Sequence, residues 1–156
     1  MKRNKRIKDI KNRIYRLAKI YDVKVIYFYN EDENYPGGYF QYVETDPFQK
    51  YHIYINKSNY CIPKSYLCTF FHELGHVYCH RNGIWKKHHN TPKYIDREYA
   101  LSVIRTGLKA ERWVDKWAKN EISKFYPKIK QFQEYSSKER KDWYRENIIK
   151  KFRQFL

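Results

Sequence analysis

The chain has 156 residues, of which 42% are hydrophobic and 19% aromatic, so it is long enough to bury the core of one domain. No segment approaches the roughly 18 consecutive apolar residues of a membrane span, and the basic N-terminus lacks the apolar core of a signal peptide. We therefore expect a cytoplasmic protein that does not enter the membrane. We expect one domain over 1–156, with a core at about 5–124 and a basic helical extension at about 125–156.

The charge is strongly basic and lies at the two ends of the chain. Lys and Arg number 33 against 17 Asp and Glu, a formal net charge of +16. Residues 1–20 carry nine basic side chains and one acidic one, and residues 124–156 carry ten and four. The two ends thus hold 14 of the 16 net charges. This distribution favours a nucleic acid or an acidic protein partner; the alternative is solvated helix faces that keep the protein soluble.

The predicted elements begin with an amphipathic helix at about 4–20, where Ile and Leu recur every three to four residues. Three short strands follow at 23–29, 39–43 and 51–55, with a turn at Pro36-Gly37-Gly38, and they predict a small three-stranded sheet. His52 is expected to face outward from its strand.

Helical periodicity resumes at Pro63 and is stopped by Asn82-Gly83. A longer helix is predicted from Asp96 to about Lys124, weakened or divided at Gly107. A capping box at 136–139 predicts a C-terminal helix. The apolar face of the first of these helices is predicted to comprise Leu67, Phe70, Phe71, Leu74 and Tyr78.

The sequence His72-Glu73-Leu74-Gly75-His76 lies within that first helix. Histidines at i and i+4 lie one turn apart on the same face, so both imidazoles can bind one Zn²⁺. Glu73 is placed to act as a general base on water. The two histidines are expected at the rim of the buried face.

A catalytic zinc site usually has three protein ligands. Glu111 is the preferred third ligand, because Glu111 and Asp115 form an acidic pair at i and i+4 on the longer helix. Asp115 would then accept a hydrogen bond from a ligand histidine and orient its ring. The alternative third ligand is His88 or His89, which would give a three-histidine site like that of SprT or Spartan proteases. The longer metzincin pattern is absent, since Cys79 stands where it requires Gly.

The cysteines do not indicate a disulfide framework. Cys61, Cys68 and Cys79 are an odd number without paired spacing, which favours a reduced, intracellular protein. Cys68 and Cys79 lie near the predicted metal site, but each is expected to be a small buried hydrophobe.

Three segments together resemble the ImmA/IrrE family of zinc metallopeptidase domains. They are the strand 52–56 that ends in Asn, the His-Glu-Leu-Gly-His helix, and the Glu111-x-x-x-Asp115-x-Trp117-Ala118 segment, within about residues 50–120. Val114 departs from the family pattern, which has Ala there. The resemblance implies a reduced zincin-like α+β fold, with His72, His76 and Glu111 as ligands and Glu73 as catalytic base. It also implies a mobile-element or phage context and a transcriptional repressor as substrate.

Two hypotheses of function follow. The first is a zinc-dependent endopeptidase that acts on a specific intracellular protein, such as a repressor or another DNA-associated protein. The second is a non-catalytic basic regulator that binds a protein or nucleic acid and whose zinc is structural or vestigial. Salt-dependent binding through the basic termini would favour the second, and loss of cleavage in Glu73→Gln would favour the first.

Overall fold

The computed structural model describes residues 2–32, 37–58, 63–85, 95–127 and 138–156. Over these residues the chain has an α+β fold of four helices and a three-stranded mixed sheet, which confirms the predicted class. None of the described helices is long and apolar enough to cross a bilayer. The elements are α1 (Lys2–Ile20), β1 (Lys24–Phe28), β2 (Gly38–Tyr42), β3 (Tyr51–Asn56), α2 (Pro63–Arg81), α3 (Arg97–Phe125), α4 (Lys138–Phe152) and a 3₁₀ turn (Arg153–Phe155).

The sheet has the order β1-β3-β2, with β3 in the centre. β3 runs parallel to β1 and antiparallel to β2, so that Ile53 is opposite both Val25 and Phe40. At the end of β3, the buried side chain of Asn56 accepts hydrogen bonds from the amides of Asn30 and Ser58 and donates to the Asn30 carbonyl. Asn56 therefore ties the chain that leaves β1 to the chain that leaves β3.

His52, which is expected to face outward, has a buried side chain. The turn before β3 folds back over it, and His52 Nε2 donates to Asp46 Oδ2 and to the Gln49 carbonyl, each at 2.9 Å. Asp46 also accepts hydrogen bonds from the amides of Gln49 and Phe48. These amides, followed by His52, hold the pKa of the Asp46 carboxyl well below its usual range.

Asp46→Asn should destabilise the fold at neutral pH. Because the pKa of Asp46 is lower in the folded protein than its value of about 3.9 in an unfolded chain, the ionised carboxylate stabilises the fold above about pH 4. That contribution is lost as the pH falls through the folded-state pKa. The free energies of unfolding of wild type and Asp46→Asn, measured with urea, should converge below about pH 4. Parallel curves would contradict this account, and the control is Asp142→Asn, which replaces an exposed carboxylate of α4.

The chain divides into two compact units, Met1–Val77 and Tyr78–Leu156, and the boundary falls within α2. The core of the first unit draws on α1, β3 and α2; for example, Ile14, Ile53 and Phe70 are fully buried. Tyr21 packs edge-on against Phe71 in the same unit. The prediction of a single domain over 1–156 stays a prediction.

The second unit contains the last turn of α2 and the helices α3 and α4. Asp96 caps α3 by accepting a hydrogen bond from the Tyr99 amide at 2.6 Å, as its position predicts. α3 runs unbroken through Gly107, so the predicted division there did not occur. Its first half packs against α4 through a cluster of Ala100, Val103 and Phe152.

α2 is more deeply buried than its sequence pattern suggests. It ends in a Schellman motif, in which Gly83 has φ 64° and the Ile84 amide donates to the Cys79 carbonyl at 2.8 Å. The prediction for Tyr78 is wrong, because this residue is 41% exposed while Val77 and Cys79 on either side are fully buried. A helix enclosed on nearly all sides has no single apolar stripe, so periodicity could not identify its solvent-facing residue.

Candidate metal centre

The imidazoles of His72 and His76 converge on the surface of α2. Their Nε2 atoms lie 3.2 Å apart, and the ring planes cross at 76°. Both side chains are only 5% exposed, so the predicted position at the rim of the buried face is wrong. A metal ion binds to the neutral form of an imidazole.

His72, His76 and Glu111 form a group that could hold a metal ion. The three residues are buried and each offers one ligand atom, and these atoms all lie within 4.8 Å of one another. A tetrahedral site with bonds of about 2.1 Å has its ligand atoms about 3.4 Å apart, and this separation lies within the 4.8 Å limit of the group. Two imidazole nitrogens and one carboxylate oxygen form one of the ligand sets that catalytic zinc sites use. The donor chemistry and the separation therefore both fit zinc.

Glu111 lies on the buried face of α3, as do Val114 and Ala118. Within the same unit, Tyr78 from the last turn of α2 packs against Trp113 and Trp117, with ring centroids 6.0 and 5.3 Å away. These aromatic contacts attach the end of the histidine-bearing helix to the helix that carries Glu111.

Cys79 is buried near Glu111 and is not a member of the candidate metal-binding group found among the described residues. Burial, and then the charge of Glu111, raise the pKa of the Cys79 thiol to about 12. A thiol must lose its proton to become a good zinc ligand, so Cys79 stays a neutral, buried side chain at physiological pH. Cys79 and Cys68 are both buried, as predicted.

Glu73 is 8% exposed and lies under the first residue of β2. The sequence assigned Gly38 to a turn, but it belongs to β2 and is buried. A β-carbon on Gly38 would clash with the Thr69 side chain and lie 2.6 Å from the Tyr54 carbonyl oxygen and 3.6 Å from Glu73 Cγ. Only glycine therefore allows β2 to approach α2 this closely beside Glu73.

Gly38→Ala should lower the free energy of unfolding by about 1–3 kcal/mol, because the backbone oxygen of Tyr54 cannot move aside as a flexible side chain can. Gly37→Ala is the matched control, since a β-carbon there meets only Thr69 Oγ1 at 3.6 Å, an ordinary contact. Urea denaturation of both variants tests the difference. Equal stability of the two would show that close approach does not explain Gly38.

The ring of Phe40 stacks on the imidazole of His76, with centroids 5.9 Å apart and planes within 11°. This contact from β2 restricts rotation of the His76 ring and so favours the orientation in which Nε2 faces His72. No sequence signal identifies Phe40, because it is one of many aromatic residues in strands and its partner is distant along the chain.

The remaining predicted site residues have different outcomes. Asp115 is half-buried one turn beyond Glu111 on α3, and its hydrogen bond to a ligand histidine stays a prediction. His80 is half-buried at the end of α2 and is not a member of the candidate metal-binding group found among the described residues. His88 and His89 lie outside the described residues.

Comparison with known proteins found no match: no protein-family model, curated protein or solved structure is similar to this chain at a significant level. The resemblance to the ImmA/IrrE family therefore stays a prediction. The case for a metal centre depends on the geometry of His72, His76 and Glu111.

Proposed function

We propose that this chain is a zinc-dependent endopeptidase with a reduced zincin-like fold. The observation that carries the proposal is the buried group of His72, His76 and Glu111, with Glu73 next to the first ligand on the same helix. Burial of a carboxylate costs free energy. A cluster that was solvated or purely structural would not require the buried carboxylate of Glu73 beside it. The arrangement of two histidines, one carboxylate and an adjacent base supports hydrolysis.

His72, His76 and Glu111 would hold the ion, which when bound supplies a Lewis acid that lowers the pKa of water to about 7 and polarises a carbonyl group. Glu73 takes a proton from the attacking water and gives it to the departing amine of the substrate. Phe40 keeps the His76 ring oriented. The carboxylate of Glu73 thus transfers the proton from water to the leaving group.

The substrate would be an extended segment of a protein. β2 is an outer strand of the described sheet, and its first residue lies against Glu73. A peptide that adds to an outer strand gains backbone hydrogen bonds whatever its side chains are. This position would bring the bond to be cleaved near the general base. The resemblance points to a transcriptional repressor or another DNA-associated protein in the cytoplasm as the target.

The experiment is hydrolysis of fluorescein-labelled casein, an unstructured protein probe. The zinc-loaded chain should release labelled peptides, a chelator should stop the release, and added zinc should restore it. Hydrolysis that continues after zinc is removed would contradict the proposal. Zinc binding without any hydrolysis would favour the non-catalytic regulator, and capture of partners on Glu73→Gln would then identify what it binds.

A further inference from the structure

The exposed face of α1 carries basic, amide and aromatic side chains that take no part in the proposed metal centre. Lys8, Asn12, Tyr15 and Lys19 follow one another at spacings of four, three and four residues, so they form one stripe along the helix, and all four are exposed. Asp9, the single acidic residue in 1–20, is about 100° around the helix from Lys8. The stripe therefore combines two ammonium groups, an amide and an aromatic ring without a carboxylate.

A surface cavity of about 350 Å³ lies on this face, lined by Ile7, Lys8, Lys11, Asn12 and Tyr15. Its volume is at the lower end of the range for small-ligand pockets, about 300–1,000 Å³. The lining offers a ring for stacking, an amide that can pair with a base edge, and two cations. A ligand that matches all of these groups is anionic and carries a flat aromatic ring.

A contact with Tyr27 holds the exposed ring of Tyr15 in place. Tyr15 meets Tyr27 edge to face, with centroids 5.9 Å apart, yet 46% of Tyr15 stays exposed. Lys11 Nζ lies 4.8 Å from the centre of the same Tyr27 ring, within the range of a cation–π contact. Tyr27 thus fixes the positions of both Tyr15 and Lys11, which reduces the entropy that a ligand would otherwise lose in ordering them.

We propose that this face of α1 binds single-stranded nucleic acid, with a base stacked on Tyr15 and phosphates beside Lys8 and Lys19. An exposed aromatic ring between cations is the arrangement by which proteins bind unpaired strands. In duplex DNA the faces of the bases are stacked on one another and are inaccessible. The charged side chains of an acidic protein carry no aromatic ring. Neither ligand would therefore stack on Tyr15. The site is separate from the proposed peptidase centre, and a strand bound here would bring a nucleic-acid-associated substrate to that enzyme.

The test is fluorescence anisotropy with labelled oligothymidylate and oligouridylate of about 16 nucleotides. Lys8→Gln/Lys19→Gln should weaken binding at least about fivefold and reduce the salt dependence by about 1.4 in log–log slope. The matched control, Lys116→Gln/Lys119→Gln, removes two exposed lysines of α3 and should change affinity less than about twofold, although the net charge falls equally. Equal losses in the two double variants would overturn the proposal, because they would indicate diffuse attraction to the whole basic chain.

Tyr15 separates stacking from charge alone. Tyr15→Ala should weaken strand binding at least about fivefold, whereas Tyr15→Phe keeps the ring and should bind within about twofold of wild type. An unchanged affinity in Tyr15→Ala would overturn the proposal. So would duplex DNA or polyglutamate of equal charge binding as tightly as the single strand, the latter outcome indicating an acidic protein partner. Circular dichroism confirms that each variant is folded, and the anisotropy assay does not depend on peptidase activity.

Discussion

Glu73→Gln should abolish hydrolysis of labelled casein and leave the zinc content unchanged. Glutamine has the shape of glutamate but cannot accept a proton from water, and general-base catalysis contributes about 10²–10⁴-fold to a rate. Glu73 is outside the group of His72, His76 and Glu111, so its replacement should not remove a metal ligand. The measurement is the initial rate of peptide release, with zinc per chain determined on the same sample by atomic emission.

Glu98→Gln is the control for this substitution. Glu98 is exposed in the first turn of α3, so its replacement makes the same chemical change away from the proposed centre and should leave the rate as it is in wild type. Retention of both zinc and full activity in Glu73→Gln would show that another group is the base. Loss of zinc together with activity would instead assign Glu73 to metal binding.

Substitution of any one of the three proposed ligands should lower zinc affinity by more than about 100-fold. Loss of a residue that only supports a ligand already costs about 10–100-fold, and loss of the ligand itself removes a direct bond. Glu111→Gln is the most informative of these changes, because it keeps the size of the side chain and exchanges an anionic oxygen for a neutral amide. Competition against a chromophoric chelator at neutral pH measures the affinity, and wild type should hold one zinc per chain.

Two controls define the ligand set. His80→Gln removes a half-buried histidine from the last turn of the same helix, outside the group, and should leave zinc affinity unchanged. The double variant His88→Ala/His89→Ala tests the three-histidine alternative. If that variant loses zinc while Glu111→Gln retains it, Glu111 is not the third ligand.

Local patterns account for the parts of the fold that were predicted from sequence. The bounds of α2 follow from Pro63 at its start and from Gly83, whose positive φ ends it. The start of α3 follows from the side chain of Asp96. The histidine pair was equally predictable, since a spacing of four residues on a helix determines that both rings share one face.

Long-range packing accounts for what the sequence did not reveal. Phe40 contacts His76 from a strand 36 positions earlier in the chain, and the role of Gly38 depends on the backbone of β3 and on Thr69 of α2. The burial of His52 depends on a turn that supplies an acceptor from Asp46. Each of these contacts joins segments whose proximity is set by the tertiary fold, so periodicity along one element carries no signal for it.

We propose that zinc is bound by two histidines and Glu111. Zinc K-edge X-ray absorption of the zinc-loaded wild-type chain tests it most directly, because the fine structure distinguishes imidazole, oxygen and sulfur ligands. We predict two imidazoles in a shell of nitrogen and oxygen at about 2.0–2.1 Å, and one imidazole fewer in His76→Ala. A third imidazole, a sulfur shell at about 2.3 Å, or an unchanged spectrum in His76→Ala would contradict this assignment.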